Sequence, residues 1–345
     1  MRTALVTGGA GFLGLQLVRR LQDEGVAVRI LDREPPDETW LAGPVDFVVG
    51  DVRDPSAVDR AVRDADVVFH LAAVLPVAKA GRAYDEVNVG GTRRLLEACQ
   101  HHRVGRVVFV SSSAVYGIPR RCPVTEATPF RPLGAYGRSK ARAEQVCREF
   151  QARGLDVMIL RPRTVVGPGR GGILTLLFRH VAEGRRVYLI GRGTNRFQLI
   201  SSEDLVEACI RAARAPIPGD DFNVGAIEYR TLREDLQGLI DYAGTGARLR
   251  PLPAWPVKTA LWLLDHLGLS PLVDWHYRTP DKDFYFDIRK ARVLLGWEPR
   301  DSNVQALIKG YEWYRTHRAE IDRRVGTTHR KSVREGILHW VRRWS

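Results

Sequence analysis

Apolar and polar positions along this chain follow two alternating periods. Short aliphatic runs at 3–7, 26–31, 45–50, 66–73, 104–110 and 157–160 predict strands. Between them, apolar residues recur three and four apart. Leu17, Val18 and Leu21 mark a first helix, the Asp54-Pro55 pair starts a second over 55–64, Val87, Leu95 and Leu96 line a third over 84–102, and a fourth covers 136–153. Strands and helices alternating at this spacing predict an α/β fold, a Rossmann-type doubly wound parallel sheet. Beyond residue 165 the pattern is mixed. Helices are expected over 173–182, 202–214, 231–243, 287–295 and 303–318, with a turn returning to a strand at 191–197. The stretch 254–275 is rich in Trp and Leu and carries Pro256 and Pro271; it reads as a lobe helix covering a pocket, with a membrane-contacting surface as the alternative.

The expected organisation is a dinucleotide-binding domain over 1–165 with a returning segment near 196–225. A smaller interleaved substrate lobe covers 166–318, and a basic amphipathic tail covers 319–345. The whole chain, 345 residues with a net charge of +13, can bury a substantial core. Residues 315–345 hold nine Lys/Arg against three Asp/Glu, so much of the excess charge sits in the tail. There Val333, Ile337, Leu338, Trp340, Val341 and Trp344 fall at helical spacing, with Arg334, Arg342 and Arg343 on other faces. Two readings fit: docking onto the body or a partner subunit, or peripheral contact with a membrane surface. No nucleic-acid motif accompanies the charge, and no nucleic-acid partner is expected. No secretory leader pattern precedes the first strand, and no run reaches the roughly 18 apolar residues of a spanning helix. Cys99, Cys122, Cys147 and Cys209 show no metal spacing and read as reduced thiols, so no metal and a cytoplasmic location are expected.

The chemistry starts at the first turn. The run Thr7-Gly8-Gly9-Ala10-Gly11-Phe12-Leu13-Gly14 joins a strand to a helix and fits the G-x-G-x-x-G dinucleotide fingerprint. Glycines there permit a tight turn, a close backbone approach to a pyrophosphate and close helix–strand packing. The helix N-terminus offers free N–H groups and a positive dipole end to phosphate. Asp32 ends the second strand 18 residues after Gly14, where a ribose-binding carboxylate belongs, and favours NAD. Asp51 and Val52 at the end of the third strand suit an adenine. Leu71, Ala72 and Ala73 are small or apolar at a strand end, where a ligand can approach the backbone; His70 reads as structural.

Tyr136 and Lys140 are four apart and share one helix face. A phenol of pKa about 10 is a poor base at neutral pH, and a neighbouring ammonium favours its phenolate. With a strand-end serine to hold the substrate oxygen, this makes a proton relay for alcohol–ketone chemistry beside a nicotinamide.

Together these residues resemble the extended short-chain dehydrogenase/reductase family, in its NAD-dependent epimerase/dehydratase branch. The resemblance covers roughly residues 1–318. Its carriers are the glycine run, Gly50-Asp51-Val52, His70-Leu71-Ala72-Ala73, Asn88-Val89-Gly90-Gly91-Thr92, Ser111-Ser112-Ser113-Ala114-Val115-Tyr116-Gly117, Tyr136-x-x-x-Lys140, Arg161-Pro162, Gly167-Pro168-Gly169 and Leu295-Gly296-Trp297-x-Pro299. It implies that Tyr136, Lys140 and Ser112 are catalytic. It implies an NAD site lined by Gly8, Gly11, Phe12, Leu13, Gly14, Asp32, Asp51, Val52, Leu71, Ala72, Ala73, Ser111, Tyr136 and Lys140. Substrate would meet Ser112, Ser113, Tyr136, Thr164 and Arg196, and helices 84–102 and 136–153 would form a homodimer interface.

Family dehydratases carry a carboxylate where this chain has Ala114, so elimination of water is not expected. Nucleotide-sugar members commonly have Asn where Thr164 stands, whereas Arg196 matches their phosphate-binding arginine. The expected function is a nucleotide-sugar 4-epimerase acting through a transient ketone on a small-molecule substrate. The alternative is an NAD(P)-dependent dehydrogenase or reductase of an apolar hydroxy or keto substrate, similar to 3β-hydroxysteroid dehydrogenases. A non-catalytic NAD-sensing or scaffold protein is the third reading, against which the intact Ser112, Tyr136 and Lys140 argue.

Overall fold

The computed structural model describes residues 1–76, 80–266 and 274–323; the amphipathic pattern of 333–345 lies outside them. The strands are β1 (Thr3–Thr7), β2 (Ala27–Asp32), β3 (Asp46–Val49), β4 (Val67–His70), β5 (Arg106–Val110), β6 (Val157–Pro162), β7 (Thr164–Val166), β8 (Arg186–Ile190), β9 (Leu199–Ser201), β10 (Asp221–Val224) and β11 (Arg248–Leu252). Seven of them form one parallel sheet in the order β10-β6-β5-β4-β1-β2-β3. The chain order reverses between β1 and β4, which creates the crevice where open α/β sheets bind ligands.

Both faces of this sheet are covered, so its strands read as nearly continuous apolar runs. In β1, Ala4 and Val6 enter the core against α1 (Phe12–Asp23) and α7 (Ser202–Arg214), while Leu5 enters the opposite core. That second core is closed by α2 (Pro55–Val62), α4 (Thr92–His101) and α5 (Gly134–Gln151). The helix expected over 84–102 is built of three pieces: α3 (Ala83–Asp85), a π-helical turn Glu86–Gly91, and α4. The wide turn brings Gly91 so close to Val52 that a Cβ would lie 2.6 Å from its side chain.

A second lobe packs α6 (Ile173–Ala182), α8 (Leu232–Ala243) and α12 (Asn303–Arg323) around Phe178, Leu239, Leu307 and Tyr314, under the small parallel sheet of β8 and β11. Helix starts follow local chemistry: Asp54 caps α2 before Pro55, Ser201 caps α7, and Thr231 with Glu234 forms a capping box on α8. Of the stretch expected as a lobe helix over 254–275, the described residues hold α9 (Ala254–His266) and the start of α10 (Asp274–Arg278), while 267–273 lie outside them; α9 leaves an apolar face in solvent. The remaining helix, α11 (Arg289–Leu295), stops at Gly296, whose φ is +58°, and Trp297 beyond it is fully buried.

Candidate active site

The C-terminal ends of β1, β4 and β5 lie in register, Thr7 beside His70 and His70 beside Phe109. The glycine turn, the loop from Leu71 and the serine run therefore emerge side by side. Gly8 adopts φ +71°, and a Cβ there would lie 2.8 Å from the Ala72 nitrogen; a Cβ on Gly14 would lie 2.3 Å from the Gly8 carbonyl oxygen. Only glycine fits either place, the first for a turn and a close strand approach, the second for helix packing. Phe12 and Leu13 open α1, and Gly11 before them has no side chain to cap the first-turn amides. The Asp32 carboxylate accepts from the Ala10 amide at 3.0 Å and the Arg33 amide at 2.7 Å, which fixes it beside the turn. Burial raises its pKa, and those amides pull the other way. This cradle fits a dinucleotide: small at the turn, rich in amide donors, with a carboxylate oriented at the neighbouring strand end.

Asp51 and Val52 lie where the sequence placed them, but both Asp51 oxygens meet the Arg53 guanidinium, at 2.8 and 3.0 Å. Arg53 holds the Asp51 pKa low. Leu71, Ala72 and Ala73 form an extended, half-buried strip, and the Ala72 amide donates to Thr7 Oγ1 at 3.3 Å.

Tyr136 sits in the first turn of α5, its half-buried ring edge-on to Tyr84 at 6.2 Å. Burial pushes its phenol up to about 12, while a hydrogen bond with Ser112 and the charge of Arg170 pull it back. The Lys140 ammonium donates to the Val110 carbonyl at 2.7 Å, and burial pushes its pKa down to about 8. The cation whose field reaches the phenol is thus Arg170, a residue that sequence reasoning left without a role although it directly follows Gly167-Pro168-Gly169. Arg170 is buried and stands 5.6 Å from the Phe12 ring, which ties Tyr136 to the glycine cradle.

The three serines separate. The Ser111 hydroxyl donates to buried Glu144 at 2.5 Å, so only its backbone can face a cofactor. Ser112 turns toward Tyr136 and accepts from the Ala114 amide at 3.2 Å. Ser113 accepts from the Arg163 guanidinium at 3.1 Å. Thr164 starts β7, half-buried, and Arg196 is exposed, 5.9 Å from the Tyr285 ring.

Two polar groups organise the site from behind. Asn88, in the π turn, accepts from the Val74 amide at 2.8 Å and donates to the Val74 carbonyl at 3.1 Å and to Ser139 Oγ at 2.9 Å. Ser139 in turn donates to the Tyr136 carbonyl at 2.8 Å. One side chain therefore couples the β4 loop to the turn that carries Tyr136, from within the Asn88-Val89-Gly90-Gly91-Thr92 run. His70 bridges Thr7 and Thr92 at 2.7 and 2.9 Å. Since Thr92 donates its hydroxyl to the Asn88 carbonyl, His70 must carry its proton on Nε2 and accept at Nδ1 from Thr7. Burial pushes its pKa down to about 3, as a neutral structural ring requires.

Among the described residues no group of three or more His, Cys, Asp or Glu is placed to hold a metal ion. Nor is any helix there long and apolar enough to cross a membrane.

Residues 4–225 match the NAD dependent epimerase/dehydratase family. The uncharacterized protein y4nG of Sinorhizobium fredii is 40% identical over 340 residues, covering 98% of this chain and 85% of its own. The UDP-glucose 4-epimerase of Lactobacillus helveticus is 30% identical over 343 residues, 91% of this chain and 97% of its own. The structure of MoeE5 in complex with UDP-glucuronic acid and NAD superposes with a TM-score of 0.76 at 30% identity, over 91% of this chain and 99% of MoeE5.

Proposed function

The chain belongs to the NAD-dependent epimerase/dehydratase family, and we propose that within it the protein is a nucleotide-sugar epimerase acting at carbon 4. The observation that carries this reading is the Ser112–Tyr136 pair standing beside the glycine cradle. In this reading residues 1–165 and the returning segment near 196–225 hold NAD, with Gly8–Gly14, Asp32, Val52, Leu71–Ala73 and Lys140 around it. The lobe within residues 166–318 holds the sugar nucleotide, and Thr164 and Arg196, at its border with the NAD-binding part, lie toward the substrate phosphates.

NAD, when bound, supplies a reversible hydride acceptor. The work of the chain is to hold the sugar hydroxyl against Ser112 and to move its proton. Tyr136 Oη takes that proton as the carbon–hydrogen bond breaks, and gives it back from the same atom when the ketone is reduced on its other face. A phenol held near 12 rests protonated, which suits the return step; Arg170 supplies the positive field that the outward step needs. Ala114, buried in the turn after Ser112, offers no carboxylate for elimination, so the ketone is reduced rather than dehydrated.

An observation favours a second reading. Thr164, where nucleotide-sugar members commonly have Asn, suits an apolar alcohol or ketone, with cofactor exchanged in each turnover. The test is to denature freshly purified protein, measure released nucleotide by mass, and assay interconversion of UDP-hexose 4-epimers. Near-stoichiometric NAD with epimerisation is expected. Tyr136→Phe should lower turnover roughly 10²–10⁴-fold with NAD content unchanged. An empty site that binds nucleotide reversibly and oxidises apolar alcohols would transfer the conclusion to the second reading. A cytoplasmic location and a homodimer through α4 and α5 belong to the same proposal. The exposed residues of α5 are Ala135, Arg138, Arg142, Gln145 and Arg148, so light scattering at low and high salt tests whether such charged faces associate.

A further inference from the structure

The second lobe presents one surface that no step above uses. Helix α9 leaves Trp255, Trp262 and Leu263 at 79%, 49% and 52% exposure, and Pro256, Thr259 and Ala260 are exposed beside them. Trp255 and Trp262 are two turns apart and share a face, with Lys258 between them as its one charged residue among those whose side chains are described. Lys258, on the same helix, is turned aside to pair with Asp281.

The strands leading into α9 complete the pattern. In the β8–β11 pair, Val187 and Leu189 point into the lobe core. The other row faces out, pairing Arg248 with Arg186, Arg250 with Tyr188 and Leu252 with Ile190. Arg186, Arg248 and Arg250 are exposed, and no ion pair is formed by them among the described residues. The nearest carboxylate in sequence, Glu183, is taken by Arg185 and Arg318. One surface thus grades from three uncompensated arginines, through Ile190 and Leu252, to a helix face of Trp and Leu. Arg318, near the end of α12, joins Glu183 three residues before β8.

We propose that this face, the outer row of β8–β11 with α9, docks peripherally on an anionic lipid bilayer, with the tryptophans at the headgroup level and the arginines on lipid phosphates. Tryptophan is favoured at that depth because its ring is apolar and its N–H is polar. Basic residues add attraction to anionic headgroups that salt weakens. A nucleic acid would leave Trp255, Trp262 and Leu263 without a partner, and a second copy docked with its two-fold axis through the arginine row would set like charges together.

The experiment is co-sedimentation of the full chain with vesicles of phosphatidylcholine alone or mixed three to one with phosphatidylglycerol. Binding to the anionic vesicles should exceed binding to the neutral ones by at least about tenfold and fall when salt is raised. Trp255→Ser with Trp262→Ser, and separately Arg248→Glu with Arg250→Glu, should each reduce binding about tenfold or more while circular dichroism and melting stay as in the parent. Equal recovery with both vesicle types, or no recovery, overturns the proposal. So does loss of binding in Arg342→Glu with Arg343→Glu when the α9 and β11 variants bind as the parent does, because the tail alone then makes the contact. A doubled mass in light scattering that Trp255→Ser abolishes would assign the face to a second copy instead.

Discussion

Arg161 and Arg163 stand two residues apart at the end of one strand, and both are buried, yet the protein treats their charges in opposite ways. Arg161 lies in a complete ionic net. It donates to both oxygens of Glu144 at 3.0, 3.1 and 2.7 Å, to the Tyr116 hydroxyl at 2.8 Å, and meets Asp221 at 2.6 Å. Its pKa is raised, since those partners outweigh its burial. Arg163 has no carboxylate partner among the described residues. It donates to the Gln198 carbonyl and to Ser113, both at 3.1 Å, while its Nη2 meets no acceptor. Three aromatic rings, Phe284 at 3.7 Å, Phe197 at 4.8 Å and Phe286 at 5.6 Å, take the place of a counter-ion. Burial pushes its pKa down to about 9. The first arginine locks β6 to α5 and β10. The second keeps a net positive charge directly behind Ser113, where it favours negative charge arriving at the site.

The contrast can be broken in three ways. Glu144→Ala should have the largest effect, because it strands a buried guanidinium and the Ser111 hydroxyl. A loss of about 3–5 kcal/mol is expected in denaturant unfolding; a loss below about 1 kcal/mol would mean that Asp221 alone compensates Arg161.

The second test uses His70, a buried base that resolves the same problem by shedding its proton. Its pKa is about 3 in the folded chain and near 6.5 when exposed. Between those values the unfolded chain binds the extra proton, so stability falls as pH falls below 6.5. Against His70→Gln, the parent should lose up to about 1.4 kcal/mol more per pH unit between pH 6 and 4. Parallel stability curves would show that His70 is charged in the fold.

The smallest stability effect is expected for Arg163→Met. Removing an uncompensated buried charge offsets the lost hydrogen bonds, so unfolding free energy should stay within about 1–2 kcal/mol of the parent. Under the proposed function, the binding of a sugar nucleotide should weaken nonetheless, with KM rising more than kcat falls. A destabilisation as large as that of Glu144→Ala would make the two arginines equivalent.

The glycine run illustrates what was legible early. Gly8 and Gly14 were marked by spacing alone, and the structure gives each a backbone atom within 3 Å of a hypothetical Cβ. The strand pattern was legible for a related reason: residues buried on both faces must all be apolar. Tyr136 and Lys140 were found by their spacing on one helix, but their environments were not. The expected ammonium beside the phenol is directed to Val110, and Arg170 stands in the field of Tyr136 instead. The Trp-rich stretch was legible as helix, but its pattern left a pocket cover and an outward surface both open, because periodicity shows that residues share a side and not what lies against it.

The sequence by itself determined the alternation of the first six strands with their helices, the glycine turn, the Asp54-Pro55 helix start and the shared helix face of Tyr136 and Lys140, since each depends on neighbours within a few residues; β8, β10 and β11 carried no such local mark. Only the tertiary structure decided which polar groups are compensated. Arg161 meets Glu144 across 17 residues and Asn88 meets Ser139 across 51, while Arg163 reaches Ser113 across 50 and is given no carboxylate. Burial and charge balance are properties of the whole packed chain, and local pattern cannot encode them.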